Sequence, residues 1–464
     1  MISVRRRGAA RLAAAVLASG LVAAGAIATA GTAAADDAPP SQGGATATLG
    51  GLKTFDKAII HDNGKDQQVG AGLFEMSVDN GGSIQTYCID LHNPTQSKAK
   101  YEEKSWAETS LANNPNAGKI NWVLQNSYPQ VNDLDALAKT AGTGPLTEKT
   151  AAAGTQVAIW RFSDNAKVDA ADPQAEKLAD YLEKSAQNLQ EPKASLSLDP
   201  PAVSGKAGER LGPVKVHTNA DSVTLAPGAE SAGGVKLVDK SGKTITSAAD
   251  GGEVYFDVPE GAADGSATLT AQAATKVPVG RAFASATKSQ TQILAGSSES
   301  TVSATATANW AKKGAVPAVS AEKDCAKGGV DITASNKGDE AFTFELLGQK
   351  YTVEAGQSKT VTAPVKEDQS YKFTISGPNG FEKTFSGVLD CKTSSSGGSS
   401  DTPSSQPSPA SAGGGTGGDT SGGDLAETGS SSNTPMIAGI AVALVVVGGG
   451  AIFFVRKKKA TAGE

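Results

Sequence analysis

Three cysteines, three histidines and three methionines are all that 464 residues contain, and aromatic residues make up only 5% of the chain. Side chains of the ligating kind are too few and too scattered for a zinc-type cluster, so no metal is expected. Scarce aromatics beside abundant Ala, Gly, Thr, Ser and Val point to β-rich modules rather than a large enzyme core. Runs of basic residues occur only at the two extremities and the formal charge is −6, which leaves no cationic footprint for nucleic acid. Glycine-rich stretches fall in polar linkers, not between a strand and a helix, so no phosphate-cradling loop and no cofactor is implied. Asp62-Asn63-Gly64-Lys65-Asp66 has acids in a loop but lacks the spacing and distal glutamate of a calcium hand, and reads as a turn.

The two extremities read as addresses. Arg5, Arg6, Arg7 and Arg11 precede an apolar Ala/Leu/Val run that ends in Ala33-Ala34-Ala35, before Asp36. A charged start, an apolar centre and a small-residue exit make residues 1–35 an export signal, cut after Ala35. At the other end, Leu425-Ala426-Glu427-Thr428-Gly429 is followed by an apolar run from Pro435 to Val455 and by Arg456-Lys457-Lys458-Lys459. As a helix the apolar run would span ~31 Å, enough to cross a hydrocarbon core. The basic tail after it (456–464) keeps that end cytoplasmic. The pentapeptide resembles the signal cut by sortases, with Ala426 where proline is commoner, as in the Leu-Ala-x-Thr-Gly form that class E sortases of high-GC actinobacteria accept. That resemblance implies acylation of Thr428, release of Gly429 onward, and attachment of Thr428 to peptidoglycan. The membrane would hold the precursor only until sorting. Between the two signals the chain loses eight of its 42 Lys and Arg and one of its 48 Asp and Glu, which leaves a net charge of −13.

Texture divides the remainder. Residues 48–193 are the most varied, with strand-like alternation in 72–78 and 83–89 and two helical patterns. One helix is expected from Thr147 through Trp160. Another is expected to start at Asp172-Pro173, with Leu178, Leu182 and Leu189 on one stripe. This is an α+β domain, with Trp106 and Trp122 in its core. Residues 194–317 alternate short Val/Thr/Ile stretches with turn residues, as in Val214-Lys215-Val216 and 253–258, and read as a β-sandwich. Residues 318–392 repeat the pattern in a smaller Ig-like unit, with strands near 330–333, 342–346, 371–375 and 383–388. Residues 393–424 are a Ser/Gly/Thr/Pro linker with a stretched reach of ~110 Å.

An odd cysteine is left over. Cys325 and Cys391 bracket the small unit and are natural disulfide partners in an oxidising compartment. Closing that loop would stabilise the unit by ~4 kcal/mol in the chain-entropy view. Cys88 stands alone and could be a buried thiol, an intermolecular partner or a nucleophile. It lies in Thr86-Tyr87-Cys88-Ile89-Asp90-Leu91, and Thr155-Gln156-Val157-Ala158-Ile159-Trp160 follows downstream. This pair of motifs resembles the thioester domains of Gram-positive surface adhesins, in which a Thr-Gln-x-Ala motif supplies glutamine to a cysteine.

The resemblance implies that Cys88 attacks the Gln156 carboxamide, expels ammonia and forms an internal thioester. Tyr87, Thr155, Ala158, Ile159 and Trp160 would wall it from water. A lysine amine on a partner surface would then displace Cys88 and leave a covalent amide at Gln156, once per molecule, so the chain is an adhesin and not a turnover enzyme. On a strand, positions 88, 90 and 92 share a face, which gives His92 a chance at proton transfer. Two other readings stand beside this one. A passive stalk or ligand-binding protein would simply bury Cys88. A cysteine peptidase or transglutaminase would use it as a nucleophile, but His92 four residues away does not match the separated Cys and His of such enzymes. No convincing Lys, Asn and acid trio marks an isopeptide bond in the β units.

Overall fold

The computed structural model describes residues 43–62, 64–228 and 234–392. The export signal (1–35), the linker (393–424), the sorting residues Leu425, Ala426, Glu427, Thr428 and Gly429, the apolar run 435–455 and the tail 456–464 lie outside the described residues. Among the described residues no helix is long and apolar enough to cross a membrane.

Alternating apolar residues lay down a seven-stranded sheet. Its first members are β1 (Thr46–Asp62), β2 (Lys65–Val78), β3 (Ser83–Cys88), β4 (Lys100–Lys104) and β5 (Val168–Ala170). β1 and β2 form a long antiparallel hairpin whose last pair is Asp62 with Lys65. Gly72 is needed within it: its φ is +156°, and a Cβ there would stand 2.1 Å from the Thr54 carbonyl oxygen. Two strands come from far downstream. Gln292–Ser297 pairs with β3, and Ala282–Ser285 joins it to β4. β1 pairs with both β2 and β4, so the pairings return on themselves and leave β5 as an appended strand.

This overturns the boundary expected at residue 193. The chain leaves the first domain after its last helix, builds most of a sandwich, returns for residues 282–297, and leaves again through Glu299–Ala311. Local pattern could not reveal this, because strands destined for either sheet carry the same alternation. The sandwich has a four-stranded sheet running Lys236–Val238, Glu253–Asp257, Arg210–Thr218, Leu196–Asp199. Facing it is a five-stranded sheet running Ser247–Ala248, Val223–Pro227, Gly265–Lys276, Glu299–Ala311, Ala202–Lys206. The two units share one continuous buried core. A buried ion pair pins the crossing: Arg281 Nε lies 2.9 Å from Glu103 Oε1, and Glu103 also accepts from Ala45 N (3.2 Å), Ser195 N (2.9 Å) and the Ser195 hydroxyl.

Among the described residues the first domain has four α-helices, α1 (Ala117–Gln125), α2 (Leu134–Ala141), α3 (Glu148–Ser163) and α4 (Pro173–Ser185), of which α3 packs across β1 and β2 and α2 packs on α4. The third and fourth are the two expected. Thr147 caps α3 reciprocally with Thr150, at 3.2 and 2.9 Å. Asp172 caps α4 through Gln174 N (2.8 Å) and Ala175 N (3.0 Å). Leu178 and Leu182 are buried as expected, but α4 stops at Ser185, so Leu189 lies past its end with its N–H on the Gly118 carbonyl (3.1 Å). Trp106 and Trp122 pack against the core only half-buried, while Trp160 is wholly enclosed.

Residues from Pro317 to Cys391 form a third unit with its own core: a three-stranded sheet and two hairpins. The Cys325–Cys391 disulfide is present, with the Cα atoms 5.2 Å apart. It packs with Leu389 against Ala112, and Cys325 N donates to the Ala107 carbonyl at 3.1 Å, so this unit docks on the first domain.

Candidate thioester site

Cys88 is the last residue of β3, opposite Gln292 on the neighbouring strand, with none of its surface exposed. Gln156 lies mid-way along α3, likewise fully enclosed. A buried carboxamide needs partners for its oxygen and its N–H groups. Here they come from the main chain of one residue. Cys88 N–H donates to Gln156 Oε1 at 3.0 Å, and Gln156 Nε2 donates to the Cys88 carbonyl at 2.8 Å. The amide is thereby held flat along the residue whose sulfur would attack it, although 68 positions separate the two.

Close packing of α3 makes this possible. Gly154 lets α4 approach: a Cβ there would stand 2.4 Å from the Ala175 carbonyl oxygen. Ala151, Ala152 and Ala153 continue the small-residue surface, all of it buried. Around the pair, Tyr87, Thr155, Ala158, Ile159 and Trp160 are fully buried, as expected of a site that excludes water. The Tyr87 hydroxyl donates to the Tyr128 carbonyl at 2.8 Å, and Thr155 Oγ1 to the Ala151 carbonyl at 2.8 Å.

Burial pushes the Cys88 thiol well above its ordinary pKa, and the carboxyls of Asp164 and Asp90 add to that. Two N–H groups work the other way. Asp90 N donates to Cys88 Sγ at 3.3 Å. The Trp160 indole N–H has no hydrogen-bond partner among the described residues, and it acts on the thiol in the direction that favours the thiolate. A resting thiol is thus neutral, while a thiolate formed here finds the Asp90 N–H already placed.

Asp90 and Asp164 flank the sulfur. Burial lifts Asp164 to about 6, against the hydrogen bonds it accepts from the Ser163 hydroxyl (2.6 Å) and Leu91 N (2.9 Å). Asp90 is raised well above the carboxylate range, first by burial and then by Asp390 and Asp164. The face-sharing argument for His92 does not survive, because β3 ends at Cys88 and the chain turns at residues 89–93. His92 is half-buried, and its electrostatic partner is Asp164 rather than the sulfur. Sequence reasoning missed Asp164, Gln290 and Gln292. The Gln292 side chain accepts from Thr86 Oγ1 at 3.0 Å, and Gln290 Nε2 donates to the Asp90 carbonyl at 2.9 Å. Only Asp164 left a trace, as an acid eight residues after Gln156 on the same helical segment.

The family model of the thioester domain matches residues 85–188, the stretch that holds both Cys88 and Gln156. Residues 317–388 match the bacterial phospholipase C C-terminal domain, over nearly the whole third unit. Among solved structures, the Bacillus anthracis TIE protein is 15% identical, covering 76% of this chain and 81% of that one with a TM-score of 0.28. The thioester domain of the Enterococcus faecium TIE86 protein is 17% identical, covering 58% of this chain and 97% of that one with a TM-score of 0.27. Likeness at these scores is too weak to bear on mechanism. Comparison with curated proteins finds no match.

Proposed function

We propose that this chain is a cell-surface adhesin that forms an internal Cys88–Gln156 thioester and spends it once on an amine of a partner surface. The observation that carries the reading is the double hydrogen bond between the Gln156 carboxamide and the Cys88 main chain, with both residues fully enclosed. Formation proceeds by attack of Cys88 Sγ on Gln156 Cδ. Cys88 N–H is placed to hold the developing oxyanion at Oε1, and the Cys88 carbonyl already holds Nε2, which leaves as ammonia. Preorganisation of this kind can supply ~7–11 kcal/mol, which an amide electrophile needs.

Aminolysis retraces those positions. The incoming amine takes the place vacated by Nε2, the carbon–nitrogen bond forms at Cδ, and the carbon–sulfur bond breaks. Sulfur departs toward Asp90 N. The partner's amine is best supplied by a lysine of a surface protein. The export signal and the Leu425–Gly429 pentapeptide support display on the cell wall, with Thr428 joined to peptidoglycan by a class E-type sortase. No turnover is implied, because the product amide stays on Gln156.

Intact mass tests the chemistry. Wild-type protein should weigh one ammonia less than its sequence requires once the disulfide is counted, and methylamine should add to it. Cys88→Ala and Gln156→Ala should each show full mass and no adduct. Full mass in freshly purified wild type would return Cys88 to a buried thiol in a passive stalk or ligand-binding protein. Repeated turnover of an amine substrate would instead favour an acyl-transfer enzyme.

A further inference from the structure

Neither Cys88 nor Gln156 has any exposed surface, so an amine reaches Gln156 Cδ only after a neighbouring segment has moved. Most of the neighbours are locked into regular structure. β3 is paired on one side with β2 and on the other with Gln292–Ser297. α3 packs on β1 and β2 and is flanked by α1 and α4. The exception is the stretch 89–99, which joins β3 to β4 with no helix or strand of its own. It begins at the site, where Asp90 N donates to Cys88 Sγ at 3.3 Å. Asp90, Leu91 and Asn93 are buried, whereas Pro94, Gln96, Ser97 and Lys98 are exposed. One strap thus reaches from the sulfur to the surface.

What holds the strap down is polar and mostly on one side. The Asp90 carbonyl accepts from Gln290 Nε2 at 2.9 Å, and the Pro94 carbonyl accepts from Gln290 N at 3.3 Å. Gln96 N donates to Ser289 Oγ at 3.0 Å. From α3, Asp164 Oδ1 accepts from Leu91 N at 2.9 Å. The rim made by Ser289 and Gln290 is itself secured from behind. The Tyr101 hydroxyl donates to the Gln290 carbonyl at 2.8 Å and lies 2.8 Å from Ser289 Oγ. The adjoining Lys288 pairs with Asp368 of the third unit at 2.8 Å. When strap and rim part, the strap is therefore the side that moves. Irregular segments tied by a few hydrogen bonds open locally at far less cost than unfolding the domain.

We propose that residues 89–99 are the gate of the thioester site: the strap lifts off the Ser289–Gln290 rim to admit the partner's amine, then closes so that Asp90 N–H meets the departing sulfur. This deepens the Cys88–Gln156 thioester reading and rests on it. Closed, the strap keeps water from the carbon–sulfur bond. Open, it admits water and amine alike, so the rate of capture is set by how often it opens. Ser289 and Gln290 are positioning residues, because they act through the strap and not on the reacting atoms.

The test uses the full chain, with methylamine as the probe and two readouts: its rate of addition by intact mass, and amide hydrogen exchange of the peptide 89–99. Loss of ammonia in the wild type is checked first, and its absence would defeat the thioester itself rather than the gate. Gln290→Leu and Ser289→Ala each remove a bond between rim and strap without changing charge. Each should speed methylamine addition roughly three- to ten-fold and speed exchange across 89–99 by a similar factor. Hydrolysis, read as the gain of one water, should quicken with them. Ser289→Ala is the milder change, since Tyr101 keeps the Gln290 carbonyl, and it decides the matter if Gln290→Leu fails to expel ammonia. Leu182→Ala, a buried change on α4 away from the strap, is the control and should leave the methylamine rate within about two-fold. Unchanged methylamine rates in the rim variants would mean that the amine enters elsewhere and overturn the proposal. An equal gain in Leu182→Ala would mean general loosening of the domain and overturn it too, as would faster addition with exchange across 89–99 unaltered.

Discussion

At position 156 a glutamine has been withdrawn from water and given one residue to bond with, and most of the chemistry stems from that choice. Its neighbours divide between walls and donors. Tyr87 is a wall with a polar tip, and Tyr87→Phe should leave the Tyr128 carbonyl without that donor. We expect a loss of about 1–3 kcal/mol in chemical denaturation with the ammonia still expelled. Asp164 gives a pH signature. Its folded pKa is raised from 3.8 to about 6, so the folded state holds its proton more tightly than the unfolded chain does. Its contribution is therefore favourable below about pH 4 and is lost as pH rises through about 6. Melting temperature should fall across that window, and Asp164→Asn should flatten the fall; an unchanged slope in the variant would show that other groups set it.

Among the elements, α3 carries the site, and its small face is the part most open to a decisive change. Gly154→Leu would drive a side chain into the Ala175 carbonyl and force α3 off α4. We expect a cost of about 1–3 kcal/mol from overpacking, together with incomplete loss of ammonia, because Gln156 would move with the helix. Denaturation and intact mass would read the two effects on one sample. This helix was legible in the sequence because its cap, its motif and its length agree locally, and so was α4 apart from its far end. Cys325 and Cys391 were legible because they bracket the small unit. Strand pairing was not: Ala282–Ser285 and Gln292–Ser297 read like any sandwich strands, and only the folded chain shows that they complete the sheet beside Cys88. His92 failed for a related reason, since the two-residue period that favoured it ends where β3 ends.

For the whole molecule, the order of parts along the chain sets what can be tested in cells. Thr428→Ala should leave export intact and remove the protein from detergent-washed peptidoglycan; retention there would mean that the apolar run 435–455 is the anchor. The disulfide has a consequence of its own once one end is fixed and the other held. Tension entering at Cys391 crosses the sulfur–sulfur bond to Cys325, so the intervening chain, a sequence separation of 66, never bears load. The slack withheld is on the order of 200 Å. Load then passes up Pro317–Asp324 and Glu299–Ala311 into Gln292–Ser297, the strand laced to β3, whose final residue is Cys88. A pull at Cys391 would arrive at the sheet that carries Cys88 with the third unit still folded against it.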